Sequence, residues 1–214
     1  ITRDNGEKYK KQVLSQQKYD STTIPYKRGS ILDANGSVLA ASEKVYNVIL
    51  DSVAVTDKEE YLEPTLSALN SQFGIDTSSV RAYIAANSET SRYHVLAKRL
   101  TYEEISDFLE LQEAKDSKIK GIWFEEEYTR VYPGNTLACD IVGFTTNDNV
   151  GQYGLEEFYN DELSGVPGRE YGYLNDDSNL ERTTISPQDG NSIVTTIDAN
   201  IQSIVEKYLL KFNE

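Results

Sequence analysis

Residue types that usually build catalytic or metal sites are scarce in this chain of 214 residues. It contains one cysteine, Cys139, and one histidine, His94. A single cysteine cannot form an internal disulfide. One cysteine and one histidine are also too few ligands to complete a zinc site of the His/Cys type. Cys139 lies in an apolar stretch, so we expect a buried structural thiol. His94 lies in a predicted strand, where a lone histidine is more often structural or at the surface than a ligand.

Methionine and long apolar runs are also absent. A translation product begins with Met, so a sequence with none is expected to have lost its natural N-terminus. The lost part could be a cleaved signal peptide or tag, or a membrane anchor. Because no run of roughly 18 apolar residues occurs, the sequence predicts no membrane-spanning helix.

Positive charge is in short supply, since 35 Asp and Glu outnumber 21 Lys and Arg and give a net charge of −14. Residues 1–28 carry seven Lys and Arg against three Asp and Glu, or +4, which leaves −18 for the rest. Binding to nucleic acid needs a basic surface and is therefore disfavoured. The basic first segment could lie near anionic headgroups or be a solvated helix face.

The motifs of several enzyme classes are missing. Neither a phosphate-binding loop nor a Gly-x-Ser-x-Gly elbow occurs. Residues 15–18 and 117–120 match the Ser-x-x-Lys pattern of penicillin-recognising enzymes, but Ser-x-Asn and Lys-Thr-Gly are absent. We interpret both matches as chance and predict no catalytic residue, cofactor or metal. The carboxylates of residues 125–127 and 176–177 could supply a glycosidase pair, although a solvated acidic face is the preferred interpretation.

Hydrophobic periodicity predicts an α+β fold. Asp33 to Gly36 is the strongest turn signal, and Asn35-Gly36 is expected to supply positive φ angles for a hairpin. Asp57 is expected to cap one helix that Gly74 ends. Strands are predicted at 45–50, 92–97, 122–128 and 191–197. Helices are predicted at 77–86 and from Thr101, where a capping box includes Glu104. Residues 4–20 are expected to be an exposed helix or linker, and residues 134–190 a loop-rich region.

A last helix follows Asp198, its predicted cap, and carries one broad apolar stripe. At about 1.5–3 kcal/mol per buried side chain, leaving the stripe in water would forfeit roughly 10 kcal/mol. We expect a further domain to cover it, with coverage by the rest of the chain as the alternative. The stripe comprises Ile201, Ile204, Val205, Tyr208, Leu209 and Phe212.

Four blocks in order, at residues 28–40, 130–144, 154–168 and 190–202, together resemble the N-terminal module of class B penicillin-binding proteins. The resemblance covers about residues 25–214. The sequence departs from the family pattern at Ala34, where the family usually has Arg, which puts one local salt bridge in doubt. Each block alone is weak, but all four in this order are specific.

The resemblance implies a penicillin-binding-protein dimerisation-domain-like fold, with an irregular β base and an inserted helix-rich head. It also implies a parent that is a membrane-anchored peptidoglycan D,D-transpeptidase on the extracytoplasmic face of a bacterial membrane. Its partners would be cell-wall synthesis proteins, its own transpeptidase domain and, through a missing N-terminal anchor, the membrane. The expected division is a juxtamembrane linker or helix at 1–24, the base at 25–56 and 121–190, the head at 57–120, and the start of the transpeptidase domain at 191–214.

Thirteen motif residues are expected to hold the base together. Forked guanidinium groups can bind a carboxylate through two hydrogen bonds, so we expect Arg28 or Arg130 to pair with Glu156. The full set is Arg28, Gly29, Asp33, Gly36, Arg130, Tyr132, Pro133, Gly134, Gly154, Glu156, Gly165, Gly168 and Asp198.

Two other functions stay open from the sequence. The chain could be an independent protein-binding module of a secreted or surface protein, since its 15 tyrosines suit an interface. It could also be a carboxylate-based glycan hydrolase, which would need a cleft with two facing carboxylates.

Overall fold

The computed structural model describes residues 21–174 and 180–213, so the predicted helix or linker at 4–20 lies outside them. The strands are β1 Ser21–Ile24, β2 Ile31–Leu32, β3 Val38–Leu50, β4 His94–Leu100, β5 Ile122–Val131, β6 Gly168–Leu174, β7 Leu180–Ile185 and β8 Ile193–Val194. The helices are α1 Ser52–Thr56, α2 Glu59–Phe73, α3 Thr77–Asn87, α4 Tyr102–Glu113, α5 Cys139–Val142, α6 Gly154–Phe158, α7 Asn160–Leu163 and α8 Ala199–Asn213. The α+β class predicted from the sequence is confirmed.

The chain divides into two compact units. The base unit joins Ile1–Glu43 to Arg130–Glu214, and the head unit is Lys44–Thr129. The predicted head, 57–120, lies within the head unit. Residues 44–56 and 121–129, which the expected division placed in the base, also fall in the head unit, where the second half of β3 pairs with β4 and β3 also pairs with β5.

The base unit contains two sets of paired strands. β1, β6 and β7 form a three-stranded antiparallel sheet. β2 pairs with the start of β3 in antiparallel fashion and with β8 in parallel. Short helices and loops cover the second set around a small apolar core. The buried members of that core are Ile31, Leu39, Ala40, Ala138, Val142 and Leu163.

The head unit places helices against a sheet. β3 pairs with β4 in antiparallel register and also with β5. Gly74 ends α2 with a φ of 64°, and the capping box of Thr101 and Glu104 begins α4, as the sequence predicted. The core between sheet and helices includes Val48, Leu50, Leu66, Leu69, Val80, Ile84, Phe108 and Ile122.

Two local predictions were wrong. Asp57 does not cap α2, which begins at Glu59, because a short helix already occupies Ser52–Thr56 and Asp57 ends it. In the hairpin turn only Gly36 has a positive φ, of 85°, since Asp33 fixes the turn by accepting hydrogen bonds from the N–H groups of Asn35 and Ser37.

Two strand predictions also differ from the structure. The region 134–190, predicted to be loop-rich, contains the β6–β7 pair. The strand expected at 191–197 is only the two residues of β8, because its partner β2 is equally short. The N–H groups of Ile193 and Thr195 donate to the carbonyl oxygens of Ser30 and Leu32.

Candidate functional site

A buried charge cluster occupies the base unit, with Glu156 at its centre. Glu156 lies in the first turn of α6, which begins at Gly154 with a φ of 58°. A side chain at Gly154 would also clash with the carbonyl oxygen of Ile141, so glycine is required for the close approach that brings α6 into place. The side chain of Glu156 is inaccessible to solvent.

Arg28 binds one side of this carboxylate. Its Nε lies 2.8 Å from Oε2 of Glu156, and its Nη2 donates to the Glu156 carbonyl oxygen at 2.9 Å. Its Nη1 donates to Oδ1 of Asn160 at 3.0 Å and to Oγ of Ser164 at 2.8 Å. The guanidinium is fully buried, and these bonds replace the water that it loses.

Arg130 binds the other side of the carboxylate. Its Nε lies 2.7 Å from Oε1 of Glu156, and its Nη1 donates to the Gly29 carbonyl oxygen at 2.8 Å. Nη1 also lies 3.3 Å from Oγ of Ser42. The predicted pairing is therefore confirmed for both arginines, which share a single carboxylate.

The cluster buries two cations around one anion. In the part of the chain described, Nη2 of Arg130 is buried without a hydrogen-bond partner. A buried pair of this kind is costly to break because the remaining charge stays desolvated. The arrangement offers no open position for a substrate and acts as a structural tie between the segments at Arg28, Arg130 and Glu156.

Asp33 forms a second tie in the base unit. It is buried, and its Oδ2 accepts a hydrogen bond from the N–H of Ala199 at 3.1 Å, at the start of α8. Burial acts to raise the pKa of Asp33, but hydrogen bonds from the backbone of Ala199, Ser37 and Asn35 outweigh it and hold the pKa below its usual value. Asp198 caps α8 by accepting from Ile201 N–H at 3.1 Å, as predicted.

The remaining motif residues surround these ties. The hydroxyl of Tyr132 lies 3.4 Å from Oε1 of Glu156, and burial followed by the charge of Glu156 raises the pKa of Tyr132. A side chain at Gly29 would clash with the backbone of Asn191, next to β8. Pro133 and Gly134 are exposed in the turn after β5, and the others, Gly165 and Gly168, lie where the backbone approaches other segments closely.

The sequence analysis missed Asn160 and Ser164, which complete the shell of Arg28. A signal was available, because Glu156, Asn160 and Ser164 recur every four residues and so share one side of a helical segment. The pattern was hidden because α6 and α7 are too short to show apolar periodicity.

Cys139 is exposed, which corrects the prediction of a buried thiol. α5 is a single turn of four residues in which only Val142 is buried, so the apolar stretch does not bury all of its members. Cys139 lies between two cavities of about 480 and 420 Å³. His94 is stacked on Tyr83, with ring centroids 3.6 Å apart.

Metal sites and membrane-spanning helices are the next features to consider, within residues 21–174 and 180–213. Within these ranges no three His, Cys, Asp or Glu side chains are grouped so as to hold a metal ion. No helix in the same ranges is long and apolar enough to cross a membrane. The carboxylates at 176–177 lie outside the described residues.

α8 exposes its apolar stripe. The exposed fraction is 57% for Ile204, 66% for Tyr208 and 88% for Phe212. Its first turn is held to the base by Asp33 and, further along, Oε1 of Glu206 accepts from Ala138 N–H at 2.9 Å. A firmly held helix thus presents an uncovered apolar face.

The fold and its buried ties define a two-unit α+β domain in which charged residues serve architecture. The family described as "Penicillin-binding Protein dimerisation domain" matches residues 23–195. The chain belongs to this family.

Individual proteins that are similar to this chain have names consistent with this family. The chain is 28% identical to peptidoglycan D,D-transpeptidase FtsI of Escherichia coli over 189 residues, which are 85% of this chain and 30% of the relative. It is 28% identical to stage V sporulation protein D of Bacillus subtilis, over 88% of this chain and 29% of the relative. The chain therefore spans about a third of the length of these proteins.

Solved structures show the same fold. Penicillin Binding Protein 2X from Streptococcus thermophilus matches with a TM-score of 0.71 and 26% identity, over 90% of this chain and 31% of that one. A penicillin-binding protein (PBP2) from Helicobacter pylori, solved in complex with MreC, matches with a TM-score of 0.58 and 21% identity, over 88% of this chain and 38% of that one. At that lower identity the likeness concerns the fold alone.

Proposed function

We propose that this chain is the non-catalytic, extracytoplasmic pedestal of a peptidoglycan D,D-transpeptidase. It positions a catalytic domain away from the membrane and contacts other cell-wall synthesis proteins. In this proposal the parent's membrane anchor precedes the linker at 1–24. The relatives' names support the parent activity.

The observation that carries the positioning role is the exposed stripe of α8. The helix lies at the end of the base unit, and the hydrogen bonds of Asp33 and Glu206 fix it to the rest of that unit. A rigidly held apolar face is suited to receive another domain, because burying it stabilises the contact by roughly 25 cal/mol per Å² of apolar surface. In this proposal residues 191–214 begin the transpeptidase domain, which covers the stripe.

Two measurements, each made on the full-length parent protein and on this chain, test the proposal. A fluorescent penicillin should label the longer protein covalently and leave residues 1–214 unlabelled. Hydrogen exchange should be slower for the amides of α8 in the longer protein, while the amides of α3 serve as the reference. Labelling of the isolated chain, abolished by Ser15→Ala or Ser117→Ala, would contradict the non-catalytic assignment, and unchanged exchange in α8 would contradict the positioning role.

A further inference from the structure

The only tryptophan of the chain lies on the head sheet, on the face opposite the helices. In β5, Ile122 and Phe124 pack in the head core, so Trp123 between them points to the other face. Trp123 is 39% exposed and Tyr93 beside it is 51% exposed. Their rings meet edge to face, with centroids 5.8 Å apart.

Carboxylates continue this face along β5. Glu125 and Glu127 follow Trp123 at intervals of two residues and therefore point the same way. The Tyr93 hydroxyl donates to Oε2 of Glu125 at 2.7 Å, and Oε2 of Glu127 accepts from Nδ2 of Asn47 at 2.9 Å. These bonds fix the aromatic and polar groups relative to one another before any ligand arrives.

A residue with a strained backbone lies next to these carboxylates. Arg99 has a φ of 60° within β4, where the pairing with β3 shifts register between Tyr46 and Val48. Its N–H donates to Oδ1 of Asn47 at 3.0 Å, and its Nε lies 3.8 Å from Oε1 of Glu127. A left-handed backbone at a residue other than glycine costs energy, and such strained residues cluster at functional sites.

We propose that this surface binds a chain of uncharged pyranose sugars. We call it the aromatic–carboxylate face. The exposed rings can cover the C–H face of a sugar, while the carboxylates accept from its hydroxyl groups and the guanidinium group donates to them. The face consists of Tyr93, Arg99, Trp123, Glu125 and Glu127. Asn47, which is buried, supports Arg99 and Glu127 through its hydrogen bonds.

The length of this face and the charge of the head unit limit the choice of ligand. From Trp123 to Glu127 the strand extends ~13 Å, at ~3.3 Å per residue, which suits a short oligosaccharide. The head unit, Lys44–Thr129, has sixteen Asp and Glu and nine Lys and Arg, so its net charge is −7. A surface of this charge repels anionic polymers, so an anionic glycan is disfavoured as the ligand.

The sugar site is argued from the surface alone, whereas the choice of N-acetylglucosamine as its unit rests on the proposed function in the cell wall. Trp123 provides a reporter that belongs to this site only. Titration of the whole chain with chitohexaose, an uncharged β-linked hexamer of N-acetylglucosamine, should change the tryptophan emission saturably. Cellohexaose, which lacks the acetamido groups, is titrated in parallel.

Variants then assign the change to the named groups. Tyr93→Ala and Glu125→Gln should each weaken binding about tenfold, while Tyr93→Phe separates the loss of the hydroxyl from loss of the ring. Tyr102→Ala is the matched control, since Tyr102 is a 60% exposed tyrosine of the same unit and should leave binding unchanged. Thermal unfolding of each variant verifies that it is folded.

The outcomes separate the alternatives. No saturable change with either hexamer overturns the inference, as does a change that Tyr93→Ala and Glu125→Gln leave intact. A response to a Lys-rich peptide without a response to sugars would make this a protein-binding face and overturn the glycan assignment. Binding of cellohexaose alone would support the sugar site and contradict its link to the proposed cell-wall function.

Discussion

The Nε of Arg28 and Oε2 of Glu156 lie 2.8 Å apart, and solvent reaches neither side chain. The two residues are 128 positions apart in sequence. Because Arg130 binds the other oxygen of the same carboxylate, both arginines depend on Glu156 for their countercharge.

Replacing Glu156 with Gln should therefore destabilise the base unit strongly. The variant leaves two buried guanidinium groups without a carboxylate, and breaking a buried pair costs about 3–5 kcal/mol. Urea unfolding measures the loss. Glu126→Gln is the matched control, because its pair with Lys44 is exposed on both sides and is worth about 1 kcal/mol or less. Equal losses for the two variants would show that the buried cluster does not stabilise the fold.

The ties made by Asp33 should appear as a pH dependence of stability. Its pKa is lowered in the folded state, so its contribution is present above the ordinary pKa of an aspartate, about 4, and is lost as the pH falls through the folded value. In Asp33→Asn the charge is gone, and the amide has a single oxygen, which cannot accept both from Ala199 and from Asn35 and Ser37. The difference in urea midpoint between wild type and variant should shrink on going from about pH 5 to about pH 2. A constant difference over that range would contradict the assignment.

The capping box of α4 should contribute to the stability of the head unit. Thr101 Oγ1 accepts from Glu104 N–H, and Oε2 of Glu104 accepts from Thr101 N–H at 2.7 Å. Thr101→Ala should cost about 0.5–2 kcal/mol and speed hydrogen exchange at the first turn of α4. Thr90→Ala, at an exposed turn residue, should change stability by less than about 0.5 kcal/mol. If both variants behaved alike, the box would be dispensable.

Cys139 should react readily in the folded protein. Its side chain is exposed between two cavities, so a thiol reagent such as Ellman's reagent should label one thiol per chain without denaturant. Cys139→Ser, which removes the one thiol of the chain, should show no labelling and serves as the control. Labelling that requires urea would instead favour the buried thiol expected from the sequence.

Much of the head unit could be predicted because its elements carry their own signals. The capping box at Thr101 and the glycine after Phe73 mark helix ends through local hydrogen bonds and backbone freedom. Asp57 misled the prediction, since a residue that can cap one helix can equally end another.

The base unit was harder to predict because distant partners define its elements. β8 has two residues and exists through its pairing with Ile31 and Leu32. The pairing of Glu156 with two arginines could be expected from residue chemistry, but Asn160 and Ser164 could be assigned only once α6 and α7 were placed. The exposure of Cys139 was missed because apolar neighbours in sequence do not guarantee burial in a single helical turn.

The hydrogen bond from Ala199 N–H to Asp33 spans 166 residues, and it has a consequence for the order in which the chain folds. The head unit, Lys44–Thr129, is continuous in sequence, so it can form as soon as its last strand has been synthesised. The base cannot close until Ala199 is available, which at ~5–20 residues per second is about 4–14 s later. Within that interval Glu156, Asn160 and Ser164 are synthesised and can bind Arg28, whereas Asp33 lacks its hydrogen bond from Ala199 until the end of it. A chaperone that holds nascent chains would therefore act on the segment around Asp33.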